Sequence, residues 1–322
     1  MQVAITTPLP RLAAPQSRQL EAASIGCRVA RGRRAGHVEA IFKSAWNVKM
    51  DDGAMVAILA NHAGNVAHGI RVRGDLPPDA GASIGLPVRF SMERLIVADA
   101  IAITLATARV WRSPLRVGAY RRDGSADAAA LIVRDLLCRH MTQSNDWSGA
   151  SEFLAQALGL RRSPTMLTRP IAQSLGRLAP AARTGNAVAV LAALDALVGL
   201  GPGLTPAGDD FIVGWLAGLS LVADTDAKVR FLRAIRASID GLRGKTTSIS
   251  AQHLDDACAL MFSERLSDLC VAIALGSPEP VLAAKLSAQL AVGATSGADA
   301  AAGLMFAVFD CDVRADDLRG RM

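Results

Sequence analysis

The run Gly199-Leu200-Gly201-Pro202-Gly203-Leu204-Thr205-Pro206-Ala207-Gly208-Asp209-Asp210-Phe211-Ile212-Val213-Gly214-Trp215-Leu216-Ala217-Gly218 decides how this chain is read. It sets glycines, a Thr-Pro step and two adjacent carboxylates at the entrance of an apolar segment of helical length. Glycine in that place adds backbone entropy to the unfolded chain and buries no side chain. What it offers is close approach of a ligand to backbone N–H groups at a helix start, where the dipole favours anions.

Working outward, residues 123–322 consist of Ala- and Leu-rich segments of helical length. Helices are expected near 126–141, 149–159, 164–178, 185–198, 206–223, 226–241, 249–262, 264–275, 279–292 and 297–309. Gly159, Pro164, Pro180, Gly201, Gly276 and Pro278 serve as their stops. Residues 21–122 have a different texture, with short β-branched runs between turn signals. Ala40–Met50 and Ala54–Ala60 around Asp51-Asp52-Gly53 read as a hairpin. Gly69–Arg73 and Pro87–Phe90 read as strands, 76–81 as a loop, and Ile96–Ala108 as either a buried strand or a helix. Residues 1–20, with three prolines, read as a flexible lead-in. The expected fold class is α+β: a small β-rich domain, barrel or sandwich, followed by a larger all-α domain that carries the glycine, threonine and aspartate motifs.

The opening motif has an echo near the C-terminus. Thr205, Gly208, Asp210, Gly214 and Gly218 are matched by Thr295, Gly297, Asp299, Gly303 and Ala307. In each helix the Asp, the Gly and the second small residue lie at i, i+4 and i+8, so they share one face. Capping and packing explain such residues one at a time. Their repetition raises the expectation that both helix starts converge on one polar site, with Asp210 and Asp299 as its candidate catalytic groups. Adjacent side chains on a helix diverge, so one of Asp209 and Asp210 is expected to face a ligand and the other to act as a cap or structural group.

The 322 residues are 51% apolar, which suffices for substantial cores, and only 4% aromatic, with one Tyr. That composition disfavours recognition by stacking on bases or sugars. The net charge of +6 is uneven, with +9 in residues 1–122 and −3 in the remainder. The basic half is suited to an anionic substrate or acidic partner, or is simply a solvated surface. No nucleic-acid motif accompanies it. Arg28, Arg31, Arg33 and Arg34 read as a solvated basic loop.

Five cysteines without CxxC spacing suggest reduced thiols, and no Cys/His set has zinc spacing. The opening residues lack a basic-then-apolar signal pattern, and the apolar runs are too short or too interrupted to span a bilayer. A cytoplasmic protein with no membrane or nucleic-acid role is expected.

Gly244-Lys245-Thr246 imitates the end of a P-loop but fails it, since the required earlier glycine falls on Ile239. Arg243, Lys245, Thr246, Thr247 and Ser248 still form a loop of cations and hydroxyls, read either as a helix cap or as a share in binding a carboxylate or phosphate. His62 and His68 flank Asn65 in a loop and read as surface or structural. His140 and His253 read as ordinary helix residues. Asp209-Asp210 also fits a magnesium ion held through one or two oxygens beside a phosphate. No Ser-His-Asp set or Gly-x-Ser-x-Gly elbow is present.

The block Gly201–Phe211 with Gly214 resembles the signature of a bacterial family long labelled a domain of unknown function. Thr295-Ser296-Gly297-Ala298-Asp299 with Gly303 resembles its second block, although Ala298 stands where an aromatic residue is common. Thr246-Thr247 with Ser250 and Leu254 resembles a looser block between them. This family includes the AllH-type subunit of oxamate carbamoyltransferase, from anaerobic allantoin breakdown. That enzyme splits oxalurate with phosphate into oxamate and carbamoyl phosphate.

The resemblance implies a carbamoyltransferase-like subunit working with partner enzyme subunits on a small anionic substrate. In that reading Gly201, Gly203, Gly208 and Gly297 bring backbone donors to the anion, which stabilise developing negative charge. Thr205, Thr295 and Ser296 add hydroxyls. Asp210 and Asp299 orient an amide N–H₂ or a magnesium ion, Asp209 stands beside them, and Arg243, Lys245, Thr246 and Thr247 meet a carboxylate. Two alternatives stay open: a non-catalytic anion- or nucleotide-binding partner subunit, and a stand-alone magnesium-dependent hydrolase or phosphotransferase.

Overall fold

A computed structural model describes residues 17–77, 83–143 and 168–309. The expected helix at 149–159, the start of that at 164–178, most of the lead-in, part of the 76–81 loop and Cys311 lie outside the described residues. The chain is α+β, strands first and helices after.

Nine strands form the first unit: β1 Arg18–Gly26, β2 Arg34–Ile41, β3 Ala45–Met50, β4 Met55–Leu59, β5 Gly69–Val72, β6 Pro87–Phe90, β7 Arg94–Val97, β8 Ile101–Thr104 and β9 Arg109–Trp111. Their order is β5-β4-β3-β2-β6-β7-β8-β1-β9, and β1 also pairs with β5, which closes the sheet into a barrel. β1 manages this by changing partners along its length. Arg18–Glu21 run parallel to β8, Ser24–Gly26 run parallel to β9, and the other edge pairs antiparallel with β5. Closure removes exposed strand edges. Inside lie Ile25, Val38, Trp46, Val48, Met50, Ile58, Ile70, Phe90, Leu95, Ile101 and Ile103.

The hairpin around Asp51-Asp52-Gly53 is present, with β3 and β4 as its arms. The run from Ala40 is divided, however. A turn at 42–44, closed by Phe42 N–H donating to the Ala45 carbonyl at 2.7 Å, separates β2 from β3. The ambiguous stretch at 96–108 is neither one strand nor a helix. Its first part is the hairpin β7–β8, turned by Ala98 and Asp99, both at positive φ. Two consecutive positive φ values match the twist of paired strands, but Ala-Asp is an unusual pair to supply them, so the turn escaped notice.

Nine α-helices follow among the described residues: α1 Ser125–Gln143, α2 Thr168–Arg183, α3 Ala187–Asp195, α4 Ala207–Val222, α5 Asp226–Ile239, α6 Ser248–Cys258, α7 Glu264–Ala274, α8 Glu279–Leu290 and α9 Ser296–Phe309. Asn186, Thr225, Thr247 and Ser263 cap α3, α5, α6 and α7 by accepting from the backbone N–H three residues on. Pro180 is a correction: it lies inside α2 and does not end it. Leu115, Ala119 and Tyr120 belong to the helical core, although the sequence texture set them on the barrel side of residue 122.

α4 and α9 form the centre of the helical unit, and their small faces meet. A Cβ at Gly214 would overlap the Ala300 carbonyl, and one at Gly303 would overlap the Phe211 carbonyl. One at Gly218 would press on Leu304 and Ala307. Every contact joins near-equivalent positions of the repeated motif, so the two helices run in the same direction and their N-terminal ends lie side by side. Glycine permits that backbone approach. Phe211 and Phe306 then pack edge to face, with centroids 5.5 Å apart.

Candidate functional site

The candidate site is the place where α4 and α9 begin. Pro206 precedes α4 and supplies no side-chain cap. The first-turn donors instead go to backbone carbonyls: Gly208 N–H to Leu200, and Asp209 and Asp210 N–H to Pro206. Two carboxylates in that turn suit the positive end of the helix dipole. Gly199 and Gly201, both at positive φ, turn the preceding loop back over the helix; a Cβ would drive Gly199 into the Lys245 carbonyl and Gly201 into the Ala207 nitrogen. Beyond them, among the described residues, the N–H groups of Gly203, Leu204 and Thr205 find no acceptor within the chain.

The two copies of the motif touch. The Thr205 and Ser296 hydroxyls are 2.9 Å apart, across 91 residues of sequence, and both lie beside the Asp210 carboxyl. Asp210 is 7% exposed and Asp299 wholly buried. Burial first, and then the negative charges of Asp299 and Asp209, raise the Asp210 carboxyl well above the usual carboxylate range, against the opposing pull of Ser296 and Thr205. Among the described residues, its Oδ2 is buried without a hydrogen-bond partner, as is Oε1 of Gln289, whose Nε2 donates to the Gly297 carbonyl at 3.1 Å.

Asp209 has a different part. Its Oδ1 accepts from Gly199 N–H at 2.9 Å, and its Oδ2 accepts from the hydroxyls of Ser250, at 2.7 Å, and Thr246. All of these donors come from the protein, and they occupy both carboxylate oxygens of Asp209. Gly208 and Gly297 are likewise packing positions: a Cβ would overlap the Leu197 carbonyl in one case and the Gln289 carbonyl in the other. Thr295 presents its carbonyl to Asp299 N–H at 2.9 Å.

The loop of cations and hydroxyls braces this arrangement. Thr247 donates to the Leu204 carbonyl, Thr246 to Asp209, and the Lys245 carbonyl lies against Gly199. The two cations, expected to meet a substrate carboxylate, are already paired: Arg243 with Asp240 and Asp255, Lys245 with Asp195.

A second polar cluster went unforeseen. Where the barrel meets α6, His68 Nδ1 lies 2.5 Å from Asp256 Oδ2, and Arg28 Nε lies 2.8 Å from Asp256 Oδ1. Gln252 donates to the same Oδ1 at 3.2 Å. Arg28 also pairs with Asp255, so this exposed turn residue takes part in the seam. Arg34, from the same basic run, holds Asp52 at 2.6 Å. The His253 ring sits 5.3 Å from that of His68, and burial together with this neighbour pushes His253 down to about 4. Nearby, Asn65 exchanges hydrogen bonds with Glu264, and its side chain accepts from Ser24 at 2.5 Å. The only signal for these pairs in the sequence was a set of polar residues on segments far apart in the chain.

Cys27, Cys138, Cys258 and Cys270 are free thiols, and burial raises Cys138, Cys258 (to about 11) and Cys270, which makes them poor nucleophiles at neutral pH. Among the described residues, no three His, Cys, Asp or Glu side chains gather as metal ligands, and no helix is long and apolar enough to cross a membrane.

The family model for the oxamate carbamoyltransferase subunit AllH matches residues 197–308, which hold the whole α4–α9 junction. The model for the AllH family N-terminal domain matches residues 19–110, the barrel. No curated protein and no solved structure gives a match. The two models together take in more than half of the sequence and both structural units, and the chain belongs to the AllH family.

Proposed function

We propose that this chain is the subunit of a cytoplasmic carbamoyltransferase of purine and allantoin catabolism that holds the reacting small molecule at the start of α4 and α9. The reaction is transfer between oxalurate and phosphate on one side and oxamate and carbamoyl phosphate on the other. The observation that carries this reading is the hydrogen bond between Thr205 and Ser296 above Asp210. Two distant copies of one motif are held together there around a buried carboxyl, in the segment matched by the family model. The N–H groups of Gly203, Leu204 and Thr205 would receive the phosphate or carbamoyl oxygens, since preorganised backbone donors stabilise charge that develops in acyl transfer. Thr205 and Ser296 would hold the ligand's edge, and Asp210 with Asp299 its N–H₂ group.

The ion pairing of Arg243 and Lys245 supports a divided site. Arg243 and Lys245 are both ion-paired within the chain, so the substrate carboxylate is left for a cation from another subunit. A magnesium ion suits this donor set poorly. It needs ionised carboxylates and room for its own waters, whereas Asp209 is filled by protein donors and Asp210 is buried beside two like charges.

The test is an assay of carbamoyl phosphate formation from oxalurate and phosphate, with the chain alone and with the other carbamoyltransferase subunits added. Turnover should require the added subunits and should fall at least about tenfold with Thr205→Val, since one lost hydrogen bond to a charged or polarised group is worth about 1.5–3 kcal/mol. An assembled enzyme that keeps full activity with both Thr205→Val and Asp210→Ala would place the reaction elsewhere.

A further inference from the structure

Three consecutive residues ahead of α6 touch the glycine loop. The Lys245 carbonyl lies against Gly199, the Thr246 hydroxyl donates to Asp209, and the Thr247 hydroxyl donates to the Leu204 carbonyl at 2.5 Å. Thr247 uses its oxygen twice. Its one hydroxyl hydrogen goes to Leu204, and a lone pair accepts from Ser250 N–H at 3.1 Å as the cap of α6. Capping alone needs only the lone pair. Thr225 caps α5 in that way, and among the described residues its hydroxyl donates to no other loop.

The bond to Leu204 has a consequence one residue on. The Leu204 C=O and the Thr205 N–H belong to one planar trans peptide, in which the two groups point in opposite directions. Holding the carbonyl toward Thr247 therefore turns the Thr205 N–H away from α6. That N–H has no acceptor among the described residues, while the Thr205 side chain reaches Ser296 at 2.9 Å. In the first turn of α4, Asp210 is 7% exposed and its Oδ2 has no partner among the described residues, and a buried orphan of this kind calls for an occupant. The frame behind Thr247 is rigid, because the barrel holds α6 near both ends. Lys49 Nζ donates to Ser248 Oγ at 3.3 Å and Ile249 packs with Ala40 and Met55, while Arg28 and His68 hold Asp256. Donors fixed in advance by such a frame need no reorganisation when charge arrives.

We propose that Thr247 is a positioning residue of the anion loop: its hydroxyl fixes the Leu204–Thr205 peptide so that the Thr205 N–H meets an oxygen of the phosphate or carbamoyl group. Thr247 acts through that peptide and not by touching the ligand, which replaces the expectation that it meets a substrate carboxylate. The inference rests on the reading of Gly203, Leu204 and Thr205 as the donors that receive the anion.

The experiment titrates the full-length chain with inorganic phosphate and follows the backbone amide and carbonyl resonances by NMR. The variants are Thr247→Gly, Thr247→Ser and Thr225→Gly. Glycine caps a helix nearly as well as threonine, so Thr247→Gly removes the donor and largely spares the cap. Thr225→Gly makes the same change at a cap that holds no loop, and Thr247→Ser keeps both donor and cap. In the parent, phosphate should shift the amide protons of Gly203, Leu204 and Thr205 downfield. In Thr247→Gly the Thr205 shift should be lost at saturation while those of Gly203 and Leu204 remain, and phosphate should bind about tenfold more weakly. Thr247→Ser and Thr225→Gly should bind phosphate within about threefold of the parent. Equal weakening in Thr247→Gly and Thr225→Gly, a Thr205 shift that survives in Thr247→Gly, or Thr247→Ser binding as poorly as Thr247→Gly would overturn the proposal.

A readout without ligand separates this inference from the reading beneath it. Loss of its hydrogen bond should move the Leu204 carbonyl carbon resonance in Thr247→Gly and leave it in place in Thr247→Ser and Thr225→Gly. A resonance that stays in place in Thr247→Gly overturns the positioning role and leaves the anion loop standing. Phosphate that moves none of the three amides in the parent overturns the anion loop, and the positioning role falls with it even where the carbonyl resonance moves.

Discussion

Gly214 rests directly on the carbonyl of Ala300, and it is this backbone contact that sets Asp210 beside Asp299 one turn nearer the helix starts. The reciprocal contact of Gly303 on the Phe211 carbonyl makes the seam nearly symmetric. Any side chain at either glycine must push the helices apart, and that would open the polar junction at their ends.

Gly214→Ala is therefore expected to destabilise the protein by about 3 kcal/mol, the upper part of the range for overpacking a tight core. Gly176→Ala, in the middle of α2 with nothing within 4 Å of the added Cβ, is expected to stabilise by about 0.5–1 kcal/mol through helix propensity. Urea unfolding of the two variants checks the contrast, and comparable effects would mean that α4 and α9 are not in backbone contact.

Ser250→Ala removes one donor from the buried carboxylate of Asp209 and should cost about 1.5–3 kcal/mol. Because Asp209 also accepts from Gly199 N–H, amide hydrogen exchange should quicken at Gly199 in this variant. Unchanged protection there would detach Asp209 from the loop.

At the seam between the barrel and α6, the two adjacent acids should differ. Asp256 is buried between Arg28 and His68, whereas Asp255, which also pairs with Arg28 and Arg243, has a side chain 30% exposed. Asp256→Ala strands the buried His68 and should cost about 3–5 kcal/mol, while Asp255→Ala should cost about 1 kcal/mol or less. Denaturant midpoints of the two variants decide the matter.

His253 adds a pH dependence opposite to that of Asp210. Its folded value of about 4 lies below the ordinary 6.5, so the unfolded chain binds the proton more readily. Its contribution is present above pH 6.5 and is lost as pH falls from 6.5 toward 4, by roughly 3 kcal/mol at most. His253→Gln should flatten the fall in Tm across that window. An unchanged acid limb would mean that His253 is not held neutral.

Much of the fold was legible because periodicity and punctuation act locally. The helix from Ala207, its partner from Ser296 and the hairpin at Asp51-Asp52-Gly53 followed from spacing and turn residues alone. The hairpin turned by Ala98-Asp99 was missed because neither residue advertises positive φ. Pro180 misled because it falls within α2. For the site, the repeated Thr, Gly, Asp and small-residue pattern identified the residues that meet. Its limit showed at Asp209 and Lys245, whose charges are met by Thr246, Ser250 and Asp195, partners distant in sequence.

By itself the sequence determined the order of strands and helices, the repeated motif and the family, since each depends on residue types at fixed spacing. The tertiary structure decided which of two adjacent buried aspartates has both oxygens met by protein donors, that β1 closes the barrel, and that α6 ties barrel to helices through Asp256. Those outcomes depend on which unlike segments meet and how far water is excluded between them, and spacing along a chain does not encode either.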